Sequence, residues 1–281
     1  MGPFFLQQAF GVLGAGGFLA VSDDGTVYNA KGTENFKEYI KFMRRLYADG
    51  LLDPEALVHD KATYRAKIAS GTLGFGNDYG PHLAKDYKYD FIALEPFIAS
   101  DGKRYQQTAS NGQGLLHRSR AVITTDCEYP EVAVRWIDMW YDNEVNFQNG
   151  YGMHSAKMLD DGTIVQIAAP ADGPQGDQWM RKDTFMGDAP RFKLEKWANN
   201  LQIEPSSNAG LRNKFIDPLL LPYRTKYIPS TLLWTEEQSI RRSELDPELS
   251  NLIRNRYATW IVEGGIDREW DDYLATLEKL G

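Results

Sequence analysis

Apolar residues recur at helical spacing most clearly in Tyr129–Gly152, YPEVAVRWIDMWYDNEVNFQNGYG. Pro130 and Glu131 open the stretch. A proline at the first helical position loses only an N–H that would be orphaned anyway, and a first-turn carboxylate meets the positive end of the helix dipole. Val132, Ala133, Trp136, Ile137, Met139 and Trp140 then form a broad apolar face, which predicts a packed helix with Trp136 and Trp140 in the core. Asn143 is expected to cap a second, short helix that turns Val145 and Phe147 inward and ends at Asn149-Gly150.

The same reading predicts a helix from Thr33, with Phe36, Ile40, Met43, Leu46 and Tyr47 on one face and Gly50 as its left-handed stop. Another helix is expected over Asp60–Ser70, closed by Gly71. Thr235, followed by Glu237 and Gln238, starts a helix, and a long apolar-periodic run follows over Pro247–Val262. Gly264-Gly265 breaks that run, and a last helix from about Asp267 carries Trp270, Tyr273, Leu274 and Leu277. Trp260 and Trp270 belong to the predicted core. Leu194–Ala198 also reads as helical. Strands are expected at Thr26–Tyr28 after the turn Ser22–Gly25, then at Thr72–Gly76, Tyr89–Pro96, Arg118–Thr125 and Ile164–Ala168, with a hairpin turn at Asp101-Gly102.

With 281 residues the chain is long enough for two lobes or one large domain. Its net charge of −8 argues against nucleic acid, which needs a basic face to displace counterions from phosphates. One cysteine, Cys127, precludes an intrachain disulfide and reads as a structural thiol. The apolar run Phe4–Val21 has no Lys or Arg before it, as a signal peptide would, and is too Gly-rich for a membrane helix. A dinucleotide loop beginning at Gly14 fails because Leu19 stands where Gly or Ala is needed. His59, His82, His117 and His154 lack the spacing of a helical zinc site, and Asp160–Thr163 is too short for a calcium loop. Asp271-Asp272 and Glu236-Glu237 read as solvated helix faces, although a glycosidase pair remains open.

Ligand-facing chemistry is suggested in three places. Asn77, Asp78 and Tyr79 follow a Gly-rich strand and precede a helix, the geometry of a ligand rim or, equally, of a plain capped helix start. Gln106–Gln113 is polar, as a cleft-lining or hinge segment would be. Asp177–Trp179 places an acid, an amide and an indole together. The 7 Trp and 15 Tyr suit the flat apolar faces of sugar rings as well as a core.

Three segments share one further property. Gly32–Glu55, GTENFKEYIKFMRRLYADGLLDPE, with the hairpin before it, Tyr129–Gly152, and Val262–Gly281, VEGGIDREWDDYLATLEKLG, together resemble the extracellular solute-binding proteins of bacterial ABC transporters. The branch is the carbohydrate-binding one, which includes Gram-positive lipoproteins and alginate-binding proteins. The resemblance covers most of the chain and is weakest over Pro170–Leu233. It departs from the family at Asn149-Gly150-Tyr151-Gly152, where the family has Asn-Tyr-Gly, and at the start: the resemblance implies a missing first segment, in which the family carries a signal peptide, often a lipid-modified cysteine and, in some members, a calcium loop.

The resemblance implies an α/β fold of the periplasmic-binding-protein class II type, with two lobes, crossing strands, a helix-rich C-terminus and the N-terminal part of the fold missing. Residues 1–112 would belong to the C-terminal-type lobe, 113–168 would cross into the N-terminal-type lobe, and 169–281 would return. It implies a non-catalytic sugar-binding component of an importer, with an oligosaccharide between the lobes, ABC permease subunits as partners, no cofactor and no metal. The place implied is extracellular, as a cell-surface lipoprotein or in the periplasm, with the membrane reached only through a lipid anchor on the missing segment. By position Tyr79 matches an aromatic platform of the alginate-binding proteins, with Asn77 and Asp78 beside it, and Trp179 falls near a second platform. Asn111, Gln113 and Arg118 fall in the polar stretch before the crossover strand. The negative charge favours a neutral oligosaccharide over a uronate, against a local positive rim that Arg104, Arg118 and Arg120 could supply. The alternatives are a carbohydrate-active hydrolase with paired carboxylates and a fragment that binds no ligand.

Overall fold

The computed structural model describes residues 4–14, 17–76, 92–106, 121–170, 172–173, 179, 200–203, 208–225 and 234–280. In chain order its elements are β1 (Leu19–Val21), β2 (Val27–Asn29), α1 (Glu34–Ala48), α2 (Lys61–Ala69), α3 (Pro130–Met139), α4 (Asn143–Tyr151), β3 (Ala156–Met158), β4 (Ile164–Gln166), β5 (Leu201–Gln202), α5 (Asn208–Phe215), α6 (Asp217–Leu220), α7 (Glu236–Val262) and α8 (Ile266–Leu280). The chain divides into two units. The first comprises Met1–Asn77, Ala93–Leu116 and Pro218–Gly281, the second Asp78–Ile92 and His117–Asp217. Among the described residues no helix is long and apolar enough to cross a membrane.

The first unit is built on α1, α7 and α8. Thr33 starts α1 as expected, its hydroxyl accepting from the Phe36 N–H at 3.3 Å, and the helix buries Phe36, Tyr39, Ile40 and Met43. The hairpin before it forms too: β1 and β2 pair antiparallel with Ala20 opposite Tyr28, and Gly25 turns the chain at φ 95°. Helix α2 starts at the predicted cap, with Asp60 accepting from the Thr63 N–H at 2.8 Å. Thr235 and Gln238 form a reciprocal capping box at the start of α7.

Pro247 does not separate two helices, contrary to expectation; it lies inside a 27-residue α7. Proline removes one backbone hydrogen bond and strains the preceding turn. The helix persists because Leu249, Ile253, Tyr257, Trp260 and Ile261 immediately beyond it are buried in the core. Gly264 and Gly265, at φ 82° and 97°, then reverse the chain into α8, which buries Ile266, Trp270, Tyr273 and Leu277.

The aromatic centre of this core is hydrogen-bonded as well as packed. Trp260 meets Tyr273 edge-to-face at 5.0 Å and 84°. The indole N–H of Trp270 donates to Glu34 Oε1 at 2.9 Å, that of Trp260 to Glu269 Oε2 at 3.0 Å, and the Tyr39 and Tyr257 hydroxyls are 3.1 Å apart. Tyr273 donates to the Lys31 carbonyl at 3.2 Å. Lys31 itself is buried, its ammonium on Gln7 Oε1 at 2.5 Å and 5.4 Å from the Phe36 ring centroid. Burial pulls its pKa from 10.5 down to about 8.

The second unit has a small core. Strands β3 and β4 form an antiparallel hairpin with Lys157 opposite Val165, and β5 joins β4 in parallel with Ile164 opposite Leu201. Phe147 and Tyr151 of α4 pack on Ala156 and Ile164, with Leu201 alongside. The cap of α4 is Asp142 rather than Asn143, its carboxylate accepting from Glu144 N at 2.9 Å and Val145 N at 3.1 Å. The helix runs past Asn149-Gly150 and stops at Gly152, whose φ of 87° and ψ of 144° suit glycine alone.

Two expectations fail here and in the adjoining segments. Helix α3 forms where its pattern predicts, yet none of its residues is buried, and Trp136 is 55% exposed. Only Trp140, which ends the helix, is covered. The expected strand Thr72–Gly76 is not extended into a ladder, nor are residues 92–96 of the expected strand Tyr89–Pro96 or 121–125 of Arg118–Thr125. Ile92 and Val122 are 81% and 82% exposed, so these apolar runs are not the buried strands their composition suggests. Residues 89–91 and 118–120 and the predicted helix 194–198 lie outside the described residues.

Candidate functional site

Of the seven residues expected to face ligand, Trp179 is described; Asn77, Asp78, Tyr79, Asn111, Gln113 and Arg118 lie outside the described residues. Trp179 is half-buried in the second unit. Its indole Nε1–H donates to the Ile167 carbonyl at 3.2 Å. Ile167 sits just beyond β4, where its own N–H donates to the Ser155 carbonyl at 2.8 Å. Ser155 is buried, and its hydroxyl donates back to the Tyr151 carbonyl at 2.5 Å, so the chain leaving α4 is tied to the helix end. These bonds fix the indole relative to the hairpin.

The residue before Ser155 completes the group. His154 is exposed, and its ring centroid is 6.2 Å from that of Trp179 at an interplanar angle of 36°. Ile167 and Met153 beside them are 45% and 49% exposed. An indole held by its N–H and a tilted imidazole thus lie side by side at this hairpin. The sequence offered Trp179 but gave no reason to select His154, because a lone histidine after a helix stop carries no spacing signal.

Other candidates are occupied by structural work. A cavity of about 580 Å³ in the first unit is lined by Phe42, Arg44, Arg45, Ile266 and Arg268. Its Arg44 guanidinium donates to the Ile261 and Val262 carbonyls at 3.1 and 2.5 Å, closing the C-terminus of α7. Lys41 is paired with Glu38 at 3.1 Å and with Asp267 at 3.6 Å. Arg104, considered above for a positive rim, is held by Glu95 at 3.4 Å and donates to the Pro96 carbonyl. Next to it Gln106 bridges to Arg224 in parallel, with Gln106 N on the Tyr223 carbonyl at 2.7 Å and Thr225 N on the Gln106 carbonyl at 3.2 Å. Asp271, Asp272, Glu236 and Glu237 are exposed on α8 and α7. Among the described residues no cluster of three His, Cys, Asp or Glu could hold a metal ion.

No protein-family model matches the chain. It is 29% identical over 287 residues to the fructooligosaccharide ABC transporter substrate-binding protein FusA of Streptococcus pneumoniae, a match that takes in 99% of this chain and 52% of FusA. The structure of FusA in complex with kestose superposes with a TM-score of 0.78 at 24% identity, over 99% of this chain and 57% of that one. The fold is that of ABC-transporter substrate-binding proteins. An HMO-binding, ABC-transporter-associated solute-binding protein of Bifidobacterium longum infantis superposes with a TM-score of 0.64 at 18% identity, covering 99% of this chain and 58% of its own. The alginate-binding protein AlgQ2 gives 0.67 at 15% identity, with 100% and 60% covered. The resemblance drawn from the sequence and the α/β fold expectation therefore stand. The chain spans about half the length of the curated relative it matches.

Proposed function

We propose that this chain is the oligosaccharide-binding part of a non-catalytic, extracellular or periplasmic component of an ABC importer, and that its ligand is a neutral fructooligosaccharide. The observation that carries this reading is the match along 99% of the chain to a fructooligosaccharide-binding protein. The net charge of −8 supports a neutral ligand over a polyuronate. Trp179 supplies the stacking face, and Asn77, Asp78, Tyr79, Asn111, Gln113 and Arg118 are the residues assigned to the ligand's hydroxyls and to a second aromatic platform. Residues 1–112 and 169–281 are assigned to the C-terminal-type lobe and 113–168 to the N-terminal-type lobe. The partners assigned are the permease subunits, with a lipid anchor as the route to the membrane.

The test is calorimetric titration of the protein with kestose, nystose, maltotriose and a trimeric uronate. Saturable binding of kestose or nystose, with no more than weak binding of the uronate, is the expected result. A flat response to all four from protein shown to be folded would overturn the reading and leave a chain that does not bind sugar. Release of reducing ends during the titration would replace it with the hydrolase alternative.

A further inference from the structure

We propose that the cavity of the first unit, lined by α1 and the start of α8, binds a small phosphate monoester: Arg44 and Arg45 hold the phosphate, and Phe10 and Phe42 form the wall against the ester's organic body. The proposal does not rest on the sugar-binding reading.

The structural work described above uses only part of the cavity's lining. That lining carries Lys41, Arg44, Arg45 and Arg268 against the carboxylates of Glu38 and Asp267, an excess of positive charge in a chain whose net charge is −8. Both carboxylates are engaged by lysines: Glu38 by Lys41 at 3.1 Å, and Asp267 by Lys37 at 3.3 Å and Lys41 at 3.6 Å. Arg268 meets Glu269 at 3.3 Å. The surplus therefore resides in Arg44 and Arg45, and two uncompensated cations on one cavity favour a dianion.

Both guanidinium groups are oriented and keep donors to spare. In Arg44 it is Nη1 that donates to the Ile261 and Val262 carbonyls, at 3.1 and 2.5 Å; Nε and Nη2 have no acceptor among the described residues. Arg45 is exposed and rests over the Phe42 ring, 5.5 Å from its centroid, with no acceptor for any of its N–H groups among the described residues. A guanidinium held flat on a ring keeps its N–H edge open and loses little freedom on meeting an anion. A phosphate monoester brings nearly two negative charges and three acceptor oxygens, which match two such forks. Phe10 and Phe42 are half-buried, with centroids 5.3 Å apart at 46°, and the buried Trp260 and Ile266 complete the apolar wall. The cavity's volume of about 580 Å³ lies within the range of small-molecule sites.

The test is calorimetric titration with phenyl phosphate, inorganic phosphate and benzoate of the wild type, Arg45→Gln and Arg242→Gln, each variant checked by its thermal midpoint. Arg45 is exposed and its guanidinium has no hydrogen-bond acceptor, so Arg45→Gln is expected to melt with the wild type. Arg242 also lies over an aromatic ring, that of Trp234 at 5.3 Å, but outside the cavity, so its variant removes the same charge elsewhere. Phenyl phosphate should bind saturably and more tightly than benzoate or inorganic phosphate. Its affinity should fall about tenfold in Arg45→Gln and stay within about twofold in Arg242→Gln. No saturable binding of phenyl phosphate overturns the proposal. Equal losses in the two variants also overturn it, since diffuse charge would then suffice. Inorganic phosphate bound as tightly as its phenyl ester would mean an adventitious ion only, and benzoate bound as tightly would overturn the choice of a phosphate. Each of these failures leaves the sugar-binding reading as it is, because kestose binding is measured separately.

Discussion

Helices α3 and α8 are built from the same kind of pattern and meet opposite fates. Each begins with acid in its first turn, Glu131 in α3 and Asp267 and Glu269 in α8, and lines one face with apolar side chains, including a tryptophan. In α8 that face is covered: Trp270 is buried, as is Trp260 of α7 beside it. In α3 no residue is buried, and Trp136 stands in solvent against the edge of Trp140, 5.6 Å away at 82°. Amphipathicity states that a helix has an apolar face; it does not state that anything packs on it. The same difference runs through the two units. The first packs a broad aromatic core around α1, α7 and α8, whereas the buried cluster described in the second is Phe147, Tyr151, Ala156 and Ile164.

The sharpest test of this contrast is a matched pair. Trp260→Ala should cost about 3–5 kcal/mol, the usual range for emptying a large core site. Trp136→Ser should change stability by less than ~0.5 kcal/mol, as exposed substitutions do. Urea denaturation followed by circular dichroism measures both, and equal effects would erase the distinction between the helices.

A nearly equal effect of opposite sign is expected from the first unit's buried amine. The ammonium of Lys31 titrates at about 8 in the folded protein and near 10.5 when unfolded. Between those values the unfolded chain binds the proton and the folded chain has lost it, so stability rises with pH across this window and is lowest below about 8. The whole change is about 3 kcal/mol. The double variant Lys31→Met, Gln7→Leu, which removes both buried polar partners, should be more stable than the wild type at pH 7 and should flatten the rise between pH 8 and 10.5. Denaturation midpoints across that range are the readout.

In the second unit, Gly152→Ala would place a side chain at φ 87°, ψ 144° and should cost about 1–3 kcal/mol. The loss should appear as a weaker second unit, visible as faster amide exchange in α4 and β3. The smallest effect expected is at a helix start. Thr235→Ala breaks the capping box of α7 and should cost ~1 kcal/mol, read as a small shift of the urea midpoint.

Local chemistry was legible wherever one residue type settles a local choice. Thr33, Asp60 and Thr235 are caps, Gly25, Gly50 and Gly71 turn with positive φ, and Gly264-Gly265 separates two helices, all as their sequence context implies. Cap position slipped by one residue, from Asn143 to Asp142, because both side chains can accept the same N–H groups and only the path of the chain chooses between them. Of the candidate site, Trp179 was legible as an aromatic in a polar context. The occupation of its N–H by Ile167, and the approach of His154, join residues 12 and 25 positions away through the fold of a hairpin.

The sequence by itself therefore determined where helices start and stop, which helical faces are apolar, and through three ordered segments the kind of fold they build. These are properties of neighbours along the chain, governed by backbone geometry and by periodicity. The tertiary structure alone decided that α8 is covered and α3 is not, that Pro247 is carried through an unbroken helix, that apolar runs at 92–96 and 121–125 do not become strands, and that His154 stands beside Trp179. Each of those outcomes depends on what distant residues bring within contact, and burial and pairing energies belong to that encounter rather than to the segment.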